Sequence, residues 1–180
     1  MGKSVIEQWA SPMAVLALFS LGQPQVSRAQ TEAQRPAPSE GKAATDATGT
    51  AMCSVRVIHA TATGTEFDAR LEPLRPQLKG QAFQSFTNFA LLKQHELSIA
   101  GGASQRFDVP GEHQGVLAYE GRADAGGKHR LRLRLEIQDG KAKLLSTKFV
   151  INDGGTMMQA GLKYDKGVLV LGITCRSAGQ

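Results

Sequence analysis

The stretch Lys128-His129-Arg130-Leu131-Arg132-Leu133-Arg134-Leu135 decides the fold class. Its cations, Lys128, Arg130, Arg132 and Arg134, fall on one side of an extended chain. Leu131, Leu133 and Leu135 fall on the other. A strict period of two is the pattern of a strand with one wet face and one buried face. Turn signals bracket it and then recur at hairpin spacing: Asp124-Ala-Gly-Gly127, Asp139-Gly140, Asn152-Asp-Gly-Gly155 and Asp165-Lys-Gly167. Gly, Asn and Asp tolerate the positive φ that tight turns require. Between these turns, Leu145, Thr147, Phe149 and Ile151 mark another strand face. Val168–Ile173 is apolar on both faces apart from Gly172, which predicts a central strand covered on both sides. The C-terminal half therefore reads as an antiparallel meander.

The N-terminal half is less regular. Ser54–Ala62 opens with β-branched residues and predicts a first strand. Leu91–Ile99, Gln105–Val109 and Gly115–Tyr119 predict three more, with Pro110-Gly111 as a turn. Thr65-Glu-Phe-Asp68 has capping-box spacing, and Leu71, Leu74 and Leu78 share a helical face. Pro73 and Pro76 limit that helix to a short or broken one near Glu66–Leu78. Phe83, Phe86 and Phe89 follow at a spacing of three, which suits a bulge or a loop crossing the core. The expected fold is mainly β, an antiparallel β-sandwich or partly open barrel of about eight strands with one short N-terminal helix.

The first fifty residues read differently. Met13-Ala-Val-Leu-Ala-Leu-Phe-Ser-Leu21 is an uncharged apolar run of signal-peptide length, too short to span a bilayer as a helix. Gly22 and Pro24 break it, and Ser27 and Ala29 form a small-x-small cleavage pattern, so residues 1–29 are expected to be an export signal. Gln30–Thr50 lacks Val, Ile, Leu, Met, Phe, Trp and Tyr. Such a segment cannot bury enough apolar area to offset ordering, and is read as a linker. Residues 51–176 are the expected domain and 177–180 a tail. No transmembrane span is expected in the mature chain.

The formal charge is +5. Residues 1–50 hold as many basic residues (Lys3, Arg28, Arg35, Lys42) as acidic ones (Glu7, Glu32, Glu40, Asp46), so the domain keeps the whole excess. That balance favours anionic partners. The stripe Lys128, Arg130, Arg132, Arg134 would form a ridge about 20 Å long, suited to an acidic polysaccharide or lipid head groups. The competing reading is a solvated strand face that discourages edge pairing. No aromatic residues interleave the cations for base stacking, which argues against nucleic acid as a partner.

Cys53 opens the first strand and Cys175 closes the last. In an exported chain that pair is expected to be a disulfide joining the ends of the domain. The four histidines, His59, His95, His113 and His129, lack the spacing of a metal motif. No G-x-S-x-G elbow, phosphate-binding glycine loop or acid/base carboxylate pair is present, so no catalytic residue, metal or cofactor is assigned.

Asp153-Gly-Gly-Thr-Met-Met-Gln-Ala-Gly-Leu162 resembles the glycine-turn-strand-glycine-leucine segment in the β-domain of bacterial secretins. The wider pattern of signal, Ala/Pro-rich spacer, Phe83-Gln-Ser-Phe86 and Gly167-Val-Leu-Val-Leu-Gly-Ile-Thr174 resembles uncharacterised exported proteins of myxobacteria-like proteobacteria. That resemblance covers most of residues 53–176. It implies a periplasmic or extracellular place in the cell envelope and no activity. The expected function is a non-enzymatic envelope domain that binds or scaffolds an envelope protein, with Phe83, Phe86 and Phe89 as candidate contacts. The alternatives are binding of an anionic polymer or lipid through the basic face, or a hydrolase whose site forms only on folding.

Overall fold

The computed structural model describes residues 49–123 and 126–178. The expected signal and nearly all of the expected linker lie outside the described residues, as do the last two residues of the chain. Eight strands follow one another: β1 Thr50–Thr61, β2 Asn88–Ala100, β3 Ser104–Val109, β4 His113–Arg122, β5 Arg130–Asp139, β6 Ala142–Asn152, β7 Thr156–Tyr164 and β8 Gly167–Ala178. The strands overrun the expected domain by a residue or two at each end, with Thr50 and Ser177-Ala178 paired across β1 and β8. Asp153 Oδ1 accepts from the Ser177 N–H at 2.8 Å, which ties the expected tail to the body.

The strands form two antiparallel sheets of four, ordered β2-β1-β8-β7 and β3-β4-β5-β6. The fold is mainly β and sandwich-like. Leu131, Leu133, Leu135 and Ile137 of β5 are fully buried between the sheets, opposite Cys53, Val55 and Val57 of β1 and Leu169, Leu171 and Ile173 of β8. The alternation in the deciding stretch thus points its leucines into the main core. The strand starts at Arg130 rather than Lys128, which sits exposed after the glycine turn.

β8 is covered on both faces, as its apolar run requires. Its even-numbered residues Val168 and Val170 join Ile58, Ala60, Phe89 and Leu91 on the outer face of their sheet. The segment between β1 and β2 lies over them. It comprises a 3-10 turn Ala69–Leu74, a one-turn helix α1 Arg75–Leu78 and a 3-10 turn Gln81–Phe83, and it buries Leu71, Leu74, Leu78 and Phe83. The helix is broken as the two prolines demand: Pro73 sits in the first 3-10 turn and Pro76 in the first turn of α1. The cap differs from expectation. Asp68, not Thr65, is the N-cap; its carboxylate accepts from the Arg70 N–H at 2.9 Å and from the Leu91 N–H at 3.2 Å. Those bonds and the Arg70 guanidinium hold the Asp68 carboxyl well below the usual carboxylate range. Gly172 lies directly beneath this cover, where a Cβ would come within 2.8 Å of Leu74 Cδ1.

The expected C-terminal meander is interrupted. β5–β6 and β7–β8 are hairpins, but Asn152–Gly155 carries the chain from one sheet to the other instead of closing a third hairpin. On its other edge β8 pairs with β1 along almost its full length, from Thr50–Ala178 to Ala60–Val168. Strand neighbours follow chain order all the way round, β1 closing on β8, with pairing missing at two seams: β2/β3 and β6/β7.

Cys53 and Cys175 lie directly opposite one another on β1 and β8, with Cα atoms 4.1 Å apart, and form the expected disulfide. No helix among the described residues is long and apolar enough to cross a membrane.

Candidate functional site

The two seams differ. At β2/β3 side chains lace the gap shut. His95 Nε2 donates to the Asp108 carbonyl at 2.9 Å, Gln105 Oε1 accepts from the Ser98 N–H at 3.1 Å, and Lys93 Nζ lies 3.9 Å from the Asp108 carboxylate. The His95 ring also packs on Phe107. At β6/β7, among the described residues, no hydrogen bond or ion pair joins the strands. Ile151 of β6 is buried in the core, but the other core-facing apolar side chains are only partly covered: Leu145 and Phe149 on β6, and Met157, Leu162 and Tyr164 on β7.

Two β-bulges hold this seam open. On β6, Ile137 pairs with Leu145 and Gln138 with Lys143, which leaves Leu144 as the extra residue. On β7, Ala160 pairs with Val170 and Leu162 with Leu169, which leaves Gly161 extra, at φ +133°, a conformation open to glycine and rare for other residues. A bulge bends its strand and ends regular pairing. Here both bulged residues line one cavity of about 100 Å³, together with Leu145, Gln159, Ala160, Leu162, Leu169 and Leu171. Leu144 is 47% exposed as a result. The cavity wall is aliphatic except for the Gln159 amide, whose Nε2 donates to the Ala160 carbonyl at 2.9 Å.

One core-facing step beyond Leu162 is Tyr164, about 7 Å further along β7. Tyr164 meets the His59 ring edge-on, with centroids 5.4 Å apart, and His59 Nε2 donates to the Tyr164 carbonyl at 3.2 Å. His113 joins them: a Cβ placed on Gly111 would touch both His113 and Tyr164. The fold therefore gathers His59, His113 and Tyr164 at the end of the sandwich next to the open seam. Chain spacing could not reveal this, because the three residues come from β1, β4 and β7. The recoverable signal for the seam was Gly161 inside an otherwise strand-like run, a mark of a bulge.

The basic stripe lies elsewhere, on the outer face of β5. It is not on an edge: β5 is flanked by β4 and β6, so discouraging edge pairing is not its role. It is also partly neutralised. Arg134 Nε lies 3.3 Å from Glu120 and its Nη1 3.0 Å from Glu136, while Lys148 reaches Glu120 at 3.6 Å and Lys143 reaches Glu136 at 3.1 Å. The Glu136 carboxyl is held below its ordinary range, first by the Lys143 hydrogen bond and then by Arg134. Glu120 owes its position to a third bulge, where Tyr119 pairs with Leu133 and Gly121 with Arg132. Arg130, Arg132 and Arg134 are all half-buried, and Lys128 stands exposed before the strand.

Phe83, Phe86 and Phe89 do come together, but as packing. Phe83 and Phe89 are 7% and 1% exposed, and Phe86 is half-buried against the same cluster. The outer surface they would need to offer a partner is covered by their contact with α1 and β2. Both cysteines are in the disulfide, which removes them as nucleophiles. Comparison with protein-family models, with curated proteins and with solved structures finds no match for this chain.

Proposed function

We propose that this domain is a non-enzymatic binding module of an exported cell-envelope protein, and that it binds at the β6/β7 seam. The observation that carries this is the pair of bulges at Leu144 and Gly161, which face one another across an unpaired seam and line one apolar cavity. Bulges concentrate where a sheet re-aims side chains or ends its pairing for function. A fold that laces its other seam with His95 and Gln105 and leaves this one open has a surface available for a ligand. The disulfide supports an oxidising compartment, where such bridges persist.

A neutral solvatochromic dye, Nile red, tests the reading with the oxidised domain. Its emission should rise and shift to the blue with wild-type protein, and Leu162→Trp, which fills the cavity, should abolish the change. Because Leu162 is partly buried, Leu144→Glu at the exposed rim is the companion variant. Unchanged dye binding in both folded variants would eliminate the seam as the site.

A further inference from the structure

We infer that the outer face of the β3-β4-β5-β6 sheet docks on an anionic lipid bilayer, through the half that holds Arg130, Arg132, Arg134 and Lys148. This surface shares no residue with the cavity at Leu144 and Gly161, so either site can stand or fail without the other.

The charge of the face is divided unevenly. β3 turns Arg106 and Asp108 outward, since Phe107 and Val109 enter the core. With Lys143 and Glu136 they make a balanced end, two cations against two carboxylates. At the other end Arg130, Arg132, Arg134 and Lys148 have one carboxylate among them, Glu120, which Arg134 and Lys148 share. The end of β4 and the turn after it add Arg122 and Lys128 against Asp124. Six cations thus stand against two carboxylates, an excess of four where the whole chain carries +5. Asp153, which follows β6, is engaged on the other sheet, where its Oδ1 accepts from the Ser177 N–H at 2.8 Å. Arg130 makes no ion pair among the described residues, and its buried Nε has no hydrogen-bond partner there.

Three features select a bilayer over an acidic polysaccharide. The cations form a two-dimensional patch rather than a single file, because Lys148 lies opposite Arg134 on the neighbouring strand. Val150, 49% exposed, lies opposite Arg132 in their midst. An apolar side chain among cations gains contact with the acyl boundary beneath lipid head groups, whereas a uronate chain offers it hydroxyls. On the other side of β5, Ala118 lies opposite Arg134 and Gly121 opposite Arg132. These small residues leave the long cationic side chains to meet a flat surface first. The attraction is electrostatic: each cation near an anionic leaflet strengthens binding by about fivefold, and salt screens it.

Co-sedimentation of the oxidised protein with vesicles is the test. The protein should pellet with mixed phosphatidylcholine/phosphatidylglycerol vesicles at low salt, be released by high salt, and stay in solution with phosphatidylcholine alone. Arg130→Gln/Arg132→Gln/Lys148→Gln should weaken binding by about a hundredfold, while Arg130→Lys/Arg132→Lys keeps the charge and should retain it. Glu120→Gln should strengthen binding by about fivefold, a gain that no folding defect produces. Val150→Thr should weaken it with the charge unaltered. Equal pelleting with and without phosphatidylglycerol, or wild-type binding by the triple glutamine variant, would overturn the inference. Retention on polygalacturonate beads without pelleting on vesicles would overturn it in favour of an acidic polysaccharide. Vesicle binding lost in Leu162→Trp but kept in the triple glutamine variant would overturn it by moving the membrane contact to the seam.

Discussion

Removing the Cys53–Cys175 bridge is the sharpest test of how this sandwich is held closed. The two residues are separated by 122 positions, so the bond closes nearly the whole domain into one loop. In the chain-entropy treatment a loop of that length lowers the entropy of the unfolded chain by about 16 cal/mol/K, or about 5 kcal/mol at 25 °C. Measured losses run lower, about 2–5 kcal/mol, because unfolded chains retain structure. Alanine is the right replacement on both sides, since each sulfur is buried and a serine hydroxyl there would lack a partner. The native contacts beside the bridge should survive, as β1 and β8 pair continuously from Thr50–Ala178 to Ala60–Val168. Urea unfolding of Cys53→Ala/Cys175→Ala followed by fluorescence and circular dichroism reads the effect. At a slope of about 2 kcal/mol/M, a loss of about 4 kcal/mol lowers the midpoint by about 2 M. The slope itself should rise, because the unlinked chain exposes more surface. Wild-type protein unfolded in reductant should match the double variant. A loss under about 1 kcal/mol, or a reduced wild type as stable as the oxidised one, would refute the view that the bridge acts by constraining the unfolded chain.

Three further outcomes are expected from the same structure. Glu120→Gln/Glu136→Gln releases the cations these carboxylates engage, Arg134, Lys143 and Lys148, so the variant should elute from heparin at higher salt than wild type; unchanged elution would mean the ridge is not held in check by them. Gly115→Val should destabilise the domain by about 1–3 kcal/mol in thermal or urea unfolding, because the Phe107 ring lies directly over the glycine and fills the space a side chain would need. Asp68 has its carboxyl depressed on folding, so its contribution is complete above the ordinary aspartate range and is lost as pH falls below about 4. Asp68→Asn should flatten that acid limb of the stability curve and speed hydrogen exchange at the Leu91 amide, whereas an unaltered limb would show the cap to be incidental.

Much of this architecture is legible in the chain because it depends on local periodicity. Leu131, Leu133 and Leu135 announce their burial by alternation alone. Val168–Ile173 announces two covered faces by having no polar side, and the second cover turns out to be the proline-broken segment carrying Leu71, Leu74 and Leu78. What periodicity cannot show is which turn is a hairpin and which crosses between sheets. Asn152-Asp-Gly-Gly155 is built from the same kinds of residue as the hairpin turns, yet it carries the chain from β6 in one sheet to β7 in the other. Phe83, Phe86 and Phe89 were misleading for a related reason: aromatic density marks an exposed patch or a second core equally well, and only the chain path over the sheet decides. Of the counter-charges of the basic face, Glu136 continues the alternation of Arg130, Arg132 and Arg134, whereas Glu120 is brought beside Arg134 by the register of β4 against β5, which alternation along one strand does not give.

The same devices explain why one seam is closed and the other open. Closing a ring of eight strands requires every neighbour to pair, and this chain satisfies that condition everywhere except at β2/β3 and β6/β7. At the first, His95, Gln105 and Lys93 supply by side chain the bonds that the backbone does not make. At the second, the bulges at Leu144 and Gly161 turn both edges aside, and their lysines oppose pairing with a foreign strand. Leaving Leu145, Phe149, Met157 and Leu162 only partly covered forgoes burial worth about 25 cal/mol for each Å² still wet. The domain can sustain that loss because the disulfide and the long β1/β8 ladder secure the middle of the sheet to which β7 belongs. Stability concentrated at β1/β8 and exposure concentrated at β6/β7 are therefore complementary parts of one design, in which the bridge across Cys53 and Cys175 permits the cavity beside Leu162.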